Sequence, residues 1–482
     1  MKITNIILSC AIAFCATSCD SFLDVRPKAE KIESDLFKDA KGFEDAIYGV
    51  YGSLAQTSLY GRDLLWGVPE ILAQNLECGS SAMEALSKYD YTGNDELRSR
   101  FTTIWTAAYK SIGFANNILE QLKDWSPESL PLYNLYKGEM LGVRAYLHFD
   151  LLRLFASMNM DAEGIPYVTT YNATVKPFYK VGKVYELILA DLIEAEKALL
   201  EEENAIVYPR DNSRYNKFQN YRETHFNLYA VRALMARVYW MKGDMPNAAK
   251  YASNVIDSKK FPLVNESEVK DFLAGVISPK ETIFGVYAPK YVETCESLLL
   301  NTMSYVSFNP YYDGTGSTHL LPYDKLFNLD VEGTSQDYRR THFRTSGGMA
   351  MCLKLVDYYT IEESSAPEER KNLIAGVSLM RISEMYLIAA EALLQTNYDL
   401  AFDYFNQEIT SRGLTPLRSD QTLTLDRIYN EYHKELYCEG QMWYNMKRLN
   451  KDIVSNAETK TIPGSDKVYV IPIPEEEYEY RD

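Results

Sequence analysis

The sequence predicts an all-α protein carrying one long, loop-rich insertion with minor β structure. Two observations lead there. Helical periodicity dominates, and in two places small and aromatic residues recur at the spacing of paired helices. Between Phe261 and Glu369 the texture changes to prolines, glycines, tyrosines and short β-prone runs such as ETIFGVYAP.

The chain opens with Lys2, an apolar run from Ile6 to Ala16, the small residues Thr17 and Ser18, and then Cys19. That is the pattern of a secretory leader. A spanning helix needs about 20 apolar residues, and this run of roughly half that length meets Asp20 and Asp24 at once, so it is no permanent anchor. Ala16-Thr17-Ser18-Cys19 resembles a bacterial lipobox, with Ala16 in place of the commoner leucine. The expectation is a leader over 1–18 and a mature chain beginning at a lipidated Cys19. The charged segment from Asp20 to about Glu33, with Pro27, reads as a leash.

From Thr224 to Ser258, Phe226, Tyr229, Ala233, Ala236 and Tyr239 share one helix face, Gly243 breaks the chain, and Ala248, Ala252 and Val255 share a second face. Counted from Ala236, the tyrosine three on, the glycine seven on and the alanine twelve on match the tetratricopeptide pattern of about 34 residues. A second pair runs from Met380 to Leu414, with Ala390 and Ala401 eleven apart and Asn397 at the turn. A third is split: Lys137 to Asn159 and Lys183 to Glu203 read as amphipathic helices separated by Gly164, Pro166 and Pro177. Such repeats bury their faces only by stacking, so the reading is a short superhelix. A loop-rich stretch as long as 261–369 inside a compact chain is expected to be functional. The tail VYVIPIPEEEYEYRD reads as a strand-like edge segment around Pro472 and Pro474.

Composition narrows the function. With 50 basic and 67 acidic residues the net charge is −17, so a nucleic-acid backbone is repelled. Cys10 and Cys15 leave with the leader; Cys78, Cys295, Cys352 and Cys438 lie far apart, without a CxxC spacing, and read as buried thiols. His148, His225, His319, His342 and His433 are isolated, so neither a metal nor another cofactor is expected. The chain has 38 tyrosines against five tryptophans, and tyrosine joins a flat apolar face to a hydroxyl.

Several stretches, in order along nearly the whole mature chain, resemble the SusD/RagB family of surface lipoproteins. CDSFLDVRP fits its opening through Cys19, Phe22, Leu23, Asp24 and Pro27, and FKDAKGFEDAIYGVYGSL looks like its first helix. IWTAAYKSIGFANNILEQL supplies Trp105, Tyr109, Ala115 and Asn116; MRISEMYLIAAEAL supplies Arg381, Glu384, Leu387, Ala390, Glu391 and Ala392. KELYCEGQMWYNMKRLN keeps Glu435, Leu436, Glu439, Gly440, Gln441, Trp443, Lys447 and Arg448, and departs at Met442, Asn445 and Leu449. VIPIP resembles the family ending. The resemblance implies a SusD-like fold, with tetratricopeptide-type helix pairs in a right-handed superhelix. It divides the chain into the leader 1–18, an N-terminal region 19–260, and a C-terminal region 261–482 holding the insertion and the last helix pair. It also implies a non-enzymatic, lipid-anchored protein on the extracellular side of the outer membrane, binding an oligosaccharide and capping a SusC-like TonB-dependent barrel. The alternatives are a peptide or other nutrient receptor of the same assembly, or a glycoside hydrolase on a helical scaffold.

Sugar rings stack on aromatic faces, and their hydroxyls need amides and carboxylates. Two regions offer these: Trp66, Asn75, Glu77, Tyr89, Tyr91 and Asn94 in the first, and Tyr305, Phe308, Asn309, Tyr311, Tyr312, Asp313 and Tyr323 in the second. Glu384 and Glu391, two turns apart among alanines, read as structural rather than as a glycosidase pair. A calcium-loop imitation at Asn328, Asp330, Glu332 and Gly333 fails because Arg339 occupies the place of the bidentate glutamate. DGTGST, from Asp313 to Thr318, lacks the spaced lysine of a phosphate loop.

Overall fold

The structure is a computed structural model that describes residues 35–76, 80–265, 268, 275–301, 311–312, 318–319, 326–327, 337–346, 349–357, 365, 373–454, 461–479 and 481. Helix α1 (Ala40–Leu54) leads to α2 (Pro69–Leu72), α3 (Ser81–Ser87), α4 (Asp95–Gln121) and α5 (Tyr133–Phe155). The hairpin of β1 (Glu163–Pro166) and β2 (Phe178–Lys180) precedes α6 (Val181–Leu199), α7 (Leu228–Lys242) and α8 (Met245–Asp257). The insertion contributes β3 (Val276–Ile277), β4 (Thr282–Tyr287), α9 (Tyr291–Glu296), β5 (Tyr311–Tyr312), β6 (Thr318–His319), β7 (Phe343–Ser346) and β8 (Met349–Cys352), and β9 (Ile374–Arg381) follows it. After it come α10 (Ile382–Leu393), α11 (Tyr398–Ser411), α12 (Leu425–Glu435), α13 (Met442–Arg448), the β10 (Ile453–Val454) and β11 (Thr461–Ile462) hairpin, and α14 (Asp466–Tyr469).

Each long helix packs on the next: α4 on α5, α5 on α6, α6 on α7, α7 on α8, α8 on α10 and α10 on α11. Because α8 meets α10 directly, the insertion loops out without interrupting the array. Local chemistry sets the first expected pair. The Asn227 side chain caps α7 through the N–H groups of Tyr229 and Ala230. Gly243 ends α7 at φ +86°, and Asp244 caps α8 at once through Asn247. β9 is the centre of a three-stranded antiparallel sheet between β3 and β4 of the insertion, and β4 is the run anticipated as β-prone.

Two expectations need correction. Helix α5 is not amphipathic but buried on all sides, with Gly138 against Leu199 and Gly142 against Phe226. Asp150 and Arg153 pair within the helix at 2.6 Å, and two other charges are neutralised from other elements. Glu139 accepts from the Tyr51 hydroxyl at 2.6 Å and pairs with Arg222 at 2.7 Å, while Arg144 holds Asp191 through two bonds of 2.7 Å. The tail is not a strand: α14 is a single turn, and a 3-10 turn follows at Glu475–Glu477. Pro472 and Pro474 have no N–H to give a ladder.

The insertion is bolted to the last helices by a buried ion cluster. Glu435 accepts from Arg381 at 2.7 Å, from Arg412 at 2.8 and 2.9 Å, and from Arg339 at 3.0 Å. Glu281 binds Arg381 and Arg412, Glu439 binds Arg381 and Lys354, and Asp337 and Glu431 hold Arg339 and Lys434. Arg339, which spoiled the calcium reading, is therefore a buried structural cation. With Glu408, 3.6 Å from both Arg339 and Arg412, the cluster holds six carboxylates and five cations among the described residues. Burial, together with Glu431 and Glu435, pushes Glu408 well above the usual carboxylate range, so it is the member that keeps a proton. Its folded value is raised, so its contribution is intact below the ordinary carboxylate range and is lost as pH rises toward the folded value. Urea unfolding at several pH values is expected to show this slope in the wild type and a flatter one in Glu408→Gln. Equal slopes would remove Glu408 from the account.

Candidate ligand-binding site

The structure places the first set of sequence candidates inside the protein. Trp66 is fully buried. Asn75 donates to Glu70 at 2.7 Å and bonds the His433 ring at 2.6 Å, and its carbonyl accepts from the Tyr437 hydroxyl. The Tyr89 hydroxyl donates to the Leu72 carbonyl at 2.8 Å, and the Tyr91 hydroxyl donates to that of Val468. Both rings are 5% exposed, so neither offers a platform to a ligand. These four are corrected to structural residues: the polar tips of Asn75, Tyr89 and Tyr91 have found internal partners, which let the side chains be buried. Glu77, Tyr305, Asn309 and Asp313 lie outside the described residues, as do Asn328, Asp330, Glu332 and Gly333 of the calcium imitation. Tyr311 and Tyr312 form β5 and pair with His319 and Thr318 of β6.

Glu384 and Glu391 make no catalytic pair. Glu384 is clamped by Arg237 at 2.9 and 2.5 Å and by the Tyr432 hydroxyl at 3.1 Å, and Glu391 is held by Arg448 at 2.7 Å. Among the described residues no group of histidines, cysteines and carboxylates could hold a metal ion. Cys295, Cys352 and Cys438 are buried free thiols.

An open cleft of about 740 Å³ lies elsewhere, between α4, the loop joining β1 to β2, and the C-terminal turn. That volume suits a small ligand. Trp105 and Tyr109, one turn apart on α4, have ring centroids 4.9 Å apart. Trp105 donates to Glu477 at 2.9 Å, and Tyr109 donates to the Pro166 carbonyl at 2.8 Å. Asn116 donates to the Val168 carbonyl at 2.9 Å. The Val168 N–H donates to His148 Nε2 at 2.9 Å, which leaves the His148 proton on Nδ1, facing the Arg144 carbonyl. Burial pushes His148 down to about 3, so this anchor stays neutral. At the far root of the loop Arg481 donates to the Lys176 carbonyl and to Glu477, and lies 4.3 Å over the Phe178 ring.

The roots are fixed and the tip is free to present side chains. Tyr171 is 51% exposed and lies beside Gly113, where an added Cβ would come 4.0 Å from its ring. Val175 is 52% exposed, and the Asn172 side chain shapes the tip by accepting from the Thr174 N–H at 3.1 Å. The sequence reading named Trp105, Tyr109 and Asn116 only as family residues and missed Tyr171, Lys176 and Arg481. The available signal was a polar loop bracketed by Pro166 and Pro177.

A family model described as starch-binding and associating with the outer membrane matches residues 21–240, and the SusD family model matches residues 307–480. The chain belongs to the SusD/RagB family. The SusD-like protein P2 of Formosa agariphila is 24% identical over 525 aligned residues, covering 98% of this chain and 96% of the relative. A SusD superfamily crystal structure from Bacteroides thetaiotaomicron superposes with a TM-score of 0.70 at 21% identity, over 92% of this chain and 98% of that one. A SusD-like carbohydrate-binding protein of Bacteroides vulgatus gives 0.68 at 20%, over 91% and 96%. The mostly helical architecture is thus a SusD-like fold. Its family residues serve as joints: Trp105, Tyr109 and Asn116 fix the walls of the cleft, while Glu435 and Glu439 hold the insertion.

Proposed function

We propose that this SusD-like protein is a non-catalytic, lipid-anchored receptor on the extracellular face of the outer membrane, capturing a glycan and delivering it to a SusC-like TonB-dependent barrel. The observation that carries the reading is the cleft, whose mixed aromatic and polar lining suits a sugar's apolar ring face and hydroxyls, on a chain of this family. The carbohydrate-binding relative from Bacteroides vulgatus supports it. The anchor rests on the lipobox-like Ala16 to Cys19, and no helix among the described residues is long and apolar enough to cross a membrane. Tyr305, Asn309, Tyr311, Tyr312 and Asp313 form a second proposed contact region, as does Glu77 by itself.

Rigidity suits this role. A stacked helix array moves as one body on its leash, and a ligand touching both receptor and barrel favours the closed arrangement by differential affinity alone. Immobilised protein challenged with labelled oligosaccharides and labelled peptides is expected to retain oligosaccharides. Retention of peptides alone would replace this reading with that of a peptide receptor.

A further inference from the structure

We propose that the cleft between α4, the β1–β2 loop and the C-terminal turn takes an anionic glycan, one whose sugars carry carboxylate or sulfate groups. This rests on the glycan-receptor reading and names the class of glycan. The chain carries −17 overall, so a cluster of cations runs against its background. The lining carries Lys110, Lys176 and Arg481 against the single carboxylate of Glu477. That carboxylate is already engaged by Trp105 and Arg481. Lys110 and Lys176 have no carboxylate partner among the described residues; Lys110 is exposed, its ammonium 5.8 Å from the Phe114 ring. Two other clefts run the opposite way: one is lined by Asp95, Glu475 and Glu476 against Arg98, another by Glu201 and Glu202 against Arg214.

The two kinds of group are complementary. Tyr171, exposed beside Gly113, offers a face for a sugar ring, and the two free ammonium groups offer charge for its acidic substituents. A neutral glycan would offer the two lysines hydroxyls but no charge to pair with. Because exposed charge pairs are screened, the preference should weaken as salt rises.

Titration calorimetry of the full chain with an oligogalacturonate, a sulfated oligosaccharide and a neutral malto-oligosaccharide tests this. The wild type is expected to bind one of the anionic probes at least roughly tenfold tighter than the neutral one. The double variant Lys110→Ala, Lys176→Ala should lose about that factor for the anionic probe and nothing for the neutral one. Tyr171→Ala should weaken whichever oligosaccharide binds. All three positions lie at the surface of the cleft, and circular dichroism checks that the helices persist. The carboxylate and sulfate arms identify the acidic group. Equal affinity for neutral and anionic probes, or an unchanged double lysine variant, overturns the proposal while the glycan receptor stands. Binding of no glycan at all overturns both.

Discussion

Glu435→Gln is expected to destabilise the protein by about 3–5 kcal/mol, as is usual when one partner of a buried ion cluster loses its charge. The substitution keeps volume and shape, so the effect isolates charge. Glu435 is 2% exposed and faces three guanidinium groups, those of Arg339, Arg381 and Arg412. The fields of these arginines win over desolvation and keep Glu435 well below the ordinary carboxylate range. Without its charge, Arg412 and Arg381 share Glu281, and Arg381 also keeps Glu439. The insertion and β9 then separate first from α12, because Arg339 comes from the insertion, Arg381 from the end of β9 and Glu435 from α12. Urea denaturation followed by far-ultraviolet circular dichroism measures the loss. A change under about 1 kcal/mol would mean that the remaining carboxylates compensate and that Glu435 is not the hub.

Cys19→Ala should remove the protein from the cell surface. A single acyl chain holds a protein marginally at about 0.8 kcal/mol per buried methylene, and stable anchoring takes two or more chains. In the lipobox reading all of them depend on the Cys19 thiol and on the amino terminus that processing exposes there. No helix among the described residues is long and apolar enough to cross a membrane. Protease shaving of intact cells, followed by immunoblotting, is expected to find the wild type cleaved from outside and the variant protected or released. Equal surface cleavage of both would contradict the tether.

Local signals made much of the fold legible. Asn227, Gly243 and Asp244 announce a helix pair because each acts on backbone groups within three residues of itself. What escaped depends on partners remote in sequence. Tyr91 is buried because its hydroxyl reaches Val468, and Glu139 because Arg222 and His225 reach it. A tyrosine in a polar loop looks the same on the page whether it faces a ligand or an interior carbonyl. The cleft was illegible for the same reason: its walls come from α4, from the loop after β1 and from the last residues, and only folding brings Trp105 to Glu477.

Capture without chemistry leaves a bound glycan intact. An end-labelled oligosaccharide retained by the purified protein, eluted after prolonged incubation and sized by chromatography, is expected to return at its original length and at no more than stoichiometric amounts. Shortened products that accumulate over many turnovers would contradict the account and make the protein a hydrolase.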